Sequence, residues 1–415
     1  MKILVGVIPH DDHESLLVLD KGKPTMTTCL PGDAEKEFPN YGLLKHRKLK
    51  IENGPVSGPG VFRFRYGPVT SGIREAGSFD LFTYGEKIIR VNIDIGWKHR
   101  KIEETMQDLS PNRACTLAEH VCNNFAFSHS VAFSRAVEQA MDIEPDLRTR
   151  IWRQLLLEAE RIYNHLYVVY RLMSAASQKI PAAHVHALFE QALRLNSVLS
   201  GSRFLLGFNR VGSVDHQLDV PTMEIAIKGY QSLRERYEEI YQHSLDNANY
   251  LDRLHDSGTF SVQQATEFGL TGPTLRACGL NDDLNGMGEH LVGLPVVTQK
   301  EGDALARMET RSEELVNSCQ YLVDHLKVSD TWRDEENNGH PSPQKDGEGV
   351  GITHAPSGAL GYYVRVEDKV IRKAHIFTPS YVGLHAIAAT LPEHIFTDFP
   401  FVVDSFGVHF ADAAC

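Results

Sequence analysis

Apolar and polar side chains alternate over Glu86–Ile95, as they do in a half-buried β-strand. The residues before it are rich in β-branched and turn-forming types and predict a small β layer. From about Thr116 the apolar positions recur at helical spacing. This predicts three long successive helices over Ala126–Met141, Pro145–Ala175 and Ala182–Leu206. Further helices are expected over Val220–Asp256, where one charged face suits a solvated surface, and over Gly302–Val328. A bundle is the economical way to bury such stripes. The polar, Gly- and Pro-rich stretch between Ser329 and Gly351 predicts a loop. After it, Leu360–Val366 and Ile371–Phe377 predict a β-hairpin, and Tyr381–Leu391 a short helix.

The expected fold class is therefore α+β, mostly α. A central helix bundle carries a small N-terminal β layer and a C-terminal β-hairpin region. Residues 1–112 form the β-rich region and 113–330 the bundle; 331–415 supply the loop, the hairpin and a terminal segment packing on the bundle.

Composition narrows the function classes. The chain has 415 residues, 42% hydrophobic and 23% charged, enough for a sizeable core. Its formal net charge of -12 opposes nonspecific binding to nucleic acid or to an anionic membrane surface, so no nucleic-acid partner is expected. No run of about 18 apolar residues predicts a membrane span, and the start turns acidic at Asp11 and Asp12 before a signal-peptide core is complete. A cytoplasmic chain is expected, reaching the inner membrane only through partners. Cys29, Cys115, Cys122, Cys278, Cys319 and Cys415 form no CxxC pair, which favours reduced thiols over a disulfide scaffold. Cys278 and Cys319 read as small buried hydrophobes. Gly347-Glu-Gly-Val-Gly351 lacks the lysine and the strand-loop-helix context of a phosphate loop.

The segment Glu119-His120-Val121-Cys122-Asn123-Asn124-Phe125 carries the most chemistry. Here a thiol stands three residues before a phenylalanine, which can pack but has no lone pair for a metal. It lies within an ordered series of recognisable pieces. These are Gly67-Pro68, Trp97–Glu104, the Cys122 region, Leu155–Leu166, Gly201–Gly207, Thr271–Gly279, Gly302–Glu314 and Ala355–Tyr363. On these pieces the chain resembles, from about Gly67 onward, the large subunit of membrane-bound, energy-converting nickel-iron hydrogenases. It equally resembles the homologous quinone-site subunit of respiratory complex I.

The departures from that family shape the expected function. In the hydrogenases two CxxC pairs hold the metals. Here the resemblance puts Cys122 and Phe125 at the first pair, and His409 and Asp412 at the second. The resemblance makes Gly347–Gly351 the turn before the family's APRG loop; the arginine of that loop becomes Ser357, and the arginine before the first pair becomes His120. A nickel-iron centre and hydrogen activation by this chain are not expected. The complex I site also departs, because Gly67–Arg74 holds no histidine and the quinone tyrosine falls on Val121.

The resemblance gathers His120, Cys122, His354, His409 and Asp412 towards one cavity. Cys122, His409 and Asp412 are then candidate ligands for zinc or another divalent metal, and polar residues hydrogen-bonding one another are the plainer alternative. Glu119 stands at the family's proton-relay position, giving a candidate proton path of Glu119 and His120; a helix N-terminal acid explains it equally well. Glu160, Arg161 and His165 suit structural pairing inside the bundle, with Glu160 on Arg161. His99, Arg100, Glu103 and Glu104 suit an exposed charged turn.

The resemblance implies a peripheral subunit of a membrane-bound, ion-translocating oxidoreductase complex related to hydrogenase-4 and complex I. Its partners would be an iron-sulfur small subunit and membrane-embedded ion-translocating subunits. NAD or quinone would act only at the level of the complex. The alternative is a subunit of the NADH-quinone-oxidoreductase type that reduces quinone or another acceptor at the altered cavity.

Overall fold

The computed structural model describes residues 2–10, 13–20, 23–28, 31–69, 75–214, 220–281, 294–327 and 345–415. Cys29, residues 70–74 of the early loop and most of the segment after Ser329 fall outside them.

The chain opens with an antiparallel sheet of β1 (Lys2–Pro9), β2 (Glu14–Asp20) and β3 (Lys23–Thr28). Two short helices, α1 (Pro31–Glu37) and α2 (Tyr41–Lys45), lead to a second sheet of β4 (Lys50–Ile51), β5 (Val61–Tyr66), β6 (Ser78–Tyr84) and β7 (Lys87–Asp94), in spatial order β4-β7-β6-β5. The alternating segment around residue 90 is thus a strand, with Ile88, Val91 and Ile93 turned inward.

After α3 (Ile102–Thr105) and α4 (Pro111–Glu119) come the long helices. These are α5 (Ala126–Met141), α6 (Leu147–Ala175) and α7 (Lys179–Ser200), followed by a two-stranded turn, β8 (Asn209–Arg210) and β9 (Ser213–Val214). Asp146 starts α6 by accepting a 2.7 Å bond from the Thr149 N–H. Helix α7 stops at Ser200 because Gly201 takes a left-handed conformation, φ 77°.

The charged helix expected over Val220–Asp256 is two helices, α8 (Val220–Leu245) and α9 (Ala248–Leu254). Asn247 breaks it by accepting from the Tyr250 N–H at 3.2 Å, so its side chain competes with the backbone for a helix start. Then follow α10 (Val262–Phe268), α11 (Gly272–Ala277) and α12 (Ala304–Lys327). Helices α6, α7, α8 and α12 share one apolar core through Trp152, Leu156, Leu188, Tyr230, Tyr237 and Leu322.

The expected C-terminal hairpin is a three-stranded antiparallel sheet, β10 (Gly347–Ala355), β11 (Gly358–Glu367) and β12 (Val370–Phe377). The Gly347–Gly351 segment is therefore a strand and not a turn. Its three alternate glycines share one face of β10 and lie against the α5 backbone at Ala132, Ala136 and Ala140. A periodicity argument misses such a strand, because glycines carry no side chain to alternate. Helix α13 (Pro379–Thr390) and the short helices α14 (Phe399–Phe406) and α15 (Phe410–Ala413) close the chain over the β layer.

Helix α5 thus runs between a sheet and the bundle, with 14 of its 16 residues buried. Among the described residues no helix is long and apolar enough to cross a membrane.

Candidate functional site

The start of α5 fixes the Cys122 turn. Glu160 of α6 accepts from the backbone N–H groups of Phe127 (2.8 Å) and Ser128 (3.0 Å) and from the Ser128 hydroxyl, capping α5 from outside. Burial pushes the Glu160 carboxyl up to about 8, against these donors, which favour the anion. The expected Glu160–Arg161 pair gives way to this cap, and Arg161 pairs instead with Glu158 at 3.1 Å. Adjacent helical residues diverge by about 100° and do not face each other. One 3-10 turn, Asn123–Phe125, then joins Cys122 to α5. Arg100 holds that turn from the solvent side, donating to the carbonyls of His120 (2.8 Å) and Val121.

Phe125 is fully buried and meets the His409 ring edge-on, with centroids 5.1 Å apart. His409 lies at the N-terminus of α15. Its Nε2 is 2.9 Å from Asn124 Nδ2, and its Nδ1 is 3.8 Å from Glu75 Oε1. Glu75 comes from the early loop, and its Oε2 accepts from the Ala411 N–H at 2.6 Å. One donor atom each from Glu75, Cys122 and His409 lies within 4.8 Å of the other two. Burial, reinforced by the negative charges of Glu75 and Asp412, holds the Cys122 thiol well above its ordinary pKa. A cavity of about 80 Å³ opens beside Glu75 and His409, lined also by Tyr167, Arg171 and Asp404.

The other expected site residues go elsewhere. Asp412 is completely buried, accepts from the Ser380 N–H at 3.2 Å and meets His129 Nε2 at 2.9 Å, while His129 Nδ1 meets the Tyr362 hydroxyl at 2.9 Å. Its side chain is one helical turn from His409, and the buried His129 beneath α15 claims it. Ser357 donates to the Gly407 carbonyl at 2.7 Å. His120 is exposed, with Nδ1 on the Thr116 carbonyl at 2.8 Å, so it points out of the cavity.

His354 belongs to a second cluster formed by α6, α11, α12 and β10. Its Nε2 accepts from Arg276 at 3.0 Å, and Arg276 pairs with Glu314 at 2.6 Å. His165 lies between Arg311 (3.2 Å, to Nδ1) and Glu314 (2.9 Å, to Nε2). A guanidinium only donates, so His165 Nδ1 accepts and Nε2–H donates to the carboxylate. Burial pushes His165 down to about 3, and burial with the flanking Arg276 and Arg161 also holds His354 well below the ordinary range. Both rings are therefore neutral near pH 7 and serve as links between charges.

Glu119 is the last residue of α4, not the first of a helix, so it caps nothing by its acidity. Its carboxyl accepts from the Gly207 N–H at 2.9 and 3.0 Å, and burial raises it to about 7. A folded pKa above the ordinary 4.5 means that the folded chain holds a proton that the unfolded chain loses from about pH 4.5 upward. Stability is therefore lost as pH rises through that window. In urea titrations at a series of pH values, the stability of the wild type minus that of Glu119→Gln should fall by at most about 3 kcal/mol between pH 4.5 and 7. A constant difference would show that Glu119 is an ordinary carboxylate.

Sequence reasoning missed Glu75 and Asn124. Glu75 directly follows the loop in which only a histidine was sought, and Asn124 lies inside the Cys122 motif itself. A search for any nitrogen, oxygen or sulfur donor in those two segments would have found both.

The donor set does not match a four-thiolate bimetallic centre. Cys122 brings the only thiol among the four positions that the resemblance assigns to the ligands, Phe125 brings none, and both Asp412 oxygens are engaged.

Comparison with known proteins agrees with the architecture. Residues 182–337 match the family described as the respiratory-chain NADH dehydrogenase 49 Kd subunit, and residues 100–184 match nickel-dependent hydrogenase. Formate hydrogenlyase subunit 5 of Escherichia coli (strain K12) is 26% identical over 63% of this chain, which spans about half of that relative (47%). An NADH-quinone oxidoreductase subunit of Streptomyces griseus is 27% identical over 77% of this chain and 84% of its own length. A chain in the structure of the membrane-bound sulfane sulfur reductase, an archaeal respiratory membrane complex, superposes with a TM-score of 0.79. It covers 86% of this chain and 99% of that one at 22% identity, a likeness of fold. With its bundle, its two β regions and these matches, the chain belongs to the family that unites nickel-dependent hydrogenases with the 49 Kd subunit of respiratory-chain NADH dehydrogenase.

Proposed function

We propose that this chain is a peripheral, cytosol-facing subunit of a membrane-bound, ion-translocating oxidoreductase complex in which the nickel-iron centre has been lost. It contacts an iron-sulfur subunit and membrane-embedded subunits, and passes a conformational or protonic change between them. One observation carries the reading: a fully buried Phe125 packs on His409, two positions that the resemblance assigns to the family's thiolates. The family's fold is kept around a site whose donor atoms have changed. Phe62 and Phe64, exposed on the edge strand β5, suit a surface that partners cover.

The rival reading rests on the cavity beside His409, where this subunit would itself reduce quinone or another acceptor with electrons from an adjacent cluster.

Purification of the tagged chain from its native membrane decides between them. A cluster-bearing subunit and membrane-embedded subunits are expected to accompany it, and hydrogen is expected to leave a viologen dye oxidised. Hydrogen-dependent dye reduction would sink the proposal, and quinone reduction abolished by substitutions lining the cavity would favour the rival. The triple variant Phe125→Cys/His409→Cys/Asp412→Cys is likewise expected to take up no hydrogen. Losing Asp412 strips His129 and the Ser380 N–H of their acceptor, so restoring thiolates does not restore their surroundings.

A further inference from the structure

We infer that Glu75, Cys122 and His409 form a mononuclear site for zinc or a similar borderline divalent cation. One carboxylate oxygen, one sulfur and one imidazole nitrogen are the donor types zinc accepts. Around a tetrahedral ion with ordinary zinc bond lengths, such donors lie about 3.3–3.8 Å apart. His409 Nδ1 and Glu75 Oε1 are already 3.8 Å apart, and no pair among the three exceeds 4.8 Å. The ion would therefore have to draw any pair in by at most about 1.5 Å.

Each ligand is also held from behind, as metal ligands are. The Ala411 N–H binds Glu75 Oε2 at 2.6 Å and leaves Oε1 towards His409. Asn124 sits 2.9 Å from His409 Nε2. Its Nδ2 also lies 3.3 Å from His409 Nδ1, so a cation bound at Nδ1 would take the place of that contact. The Phe125 N–H donates to the Cys122 carbonyl at 3.0 Å and holds the turn that carries the sulfur.

Charge balances as well: a dication, one thiolate, one carboxylate and a neutral imidazole sum to zero in a largely buried place. Metal binding would release the thiol proton to solvent. Three protein ligands leave a fourth position, and the adjoining cavity is roomy enough for water there. Asp412 takes no part, being held by His129 and Ser380. The site is independent of the coupling reading. A chain that bound zinc yet oxidised hydrogen in its complex would overturn only that reading.

The test is reconstitution of the purified full chain with zinc(II) and, separately, cobalt(II), each followed by gel filtration and metal analysis. About one equivalent of either metal is expected, and the cobalt form should show a thiolate-to-cobalt charge-transfer band. Cys122→Ser should abolish that band. Glu75→Gln and His409→Gln should weaken binding about tenfold or more. His255→Gln, in the second trio of possible donors, the exposed His255 and Asp256 with the buried Asp303, should change nothing. Failure of the folded wild type to retain metal would overturn the site, as would a cobalt spectrum without the thiolate band. The wild-type spectrum decides this even if a variant does not fold. Metal lost in His255→Gln but kept in the other three variants would also overturn it, placing the ion on that second trio.

Discussion

Replacing Glu138 by alanine is expected to destabilise the chain by about 3–5 kcal/mol, the largest single effect predicted. Glu138 lies on α5 and Arg153 on α6, and both are nearly inaccessible to solvent. Arg153 Nη1 and Nη2 donate to the two Glu138 oxygens at 2.9 and 2.5 Å, a bidentate pair, and its Nε donates to Asn209 Oδ1 at 2.7 Å. Glu138 also accepts from the Gly212 N–H at 2.7 Å. Truncation leaves a buried guanidinium without its counter-charge, which costs more than the pair itself contributes. The double variant Glu138→Leu/Arg153→Met should therefore recover much of the loss. Urea unfolding checks both, and a double variant as weak as Glu138→Ala would rule out the unpaired charge as the cause. The pair also fixes α5 against α6, and the start of α5 positions Phe125 and the Cys122 turn.

Gly351→Ala is expected to cost about 3 kcal/mol, at the upper end of overpacking penalties. A methyl group there would overlap the Ala132 carbonyl and the Ala136 N–H, both in the backbone of α5, where no side chain can rotate away. Gly349→Ala meets Ala136 and Ala140 in the same way, and at Gly347 the added carbon would lie 2.6 Å from the Ala140 oxygen. Gly42→Ala is the control. It sits in α2 with no heavy atom within 4 Å of an added carbon, so it should be neutral or stabilising by about 0.5–1 kcal/mol. An unchanged thermal midpoint for Gly351→Ala would refute the close approach of β10 and α5.

Local patterning was enough for most elements. The span Ala126–Met141 coincides with α5, and Pro145–Ala175 contains α6, because both carry apolar stripes on helices long enough to show the period. The strand at Glu86–Ile95 was legible for the same reason. Where the signal depended on partners, it failed. The β10 glycines carry no hydrophobic pattern, and their role exists only against the α5 backbone. The α8–α9 break turns on one Asn247 cap within an otherwise helical pattern.

The site divides in the same way. The sequence alone determined that Cys122 stands without a second thiol, that Phe125 has no donor, and that His409 and Asp412 occupy the terminal segment, since these are matters of residue identity. Only the tertiary structure decided which of them meet. It joins Glu75, Cys122 and His409 across more than three hundred residues of chain. It sends Asp412 to His129, His354 to Arg276 and His120 to solvent. The physical reason is that helical and strand periods are set by neighbours a few residues apart. A side chain's partner is set by which buried charges and N–H groups the packed elements leave to be satisfied.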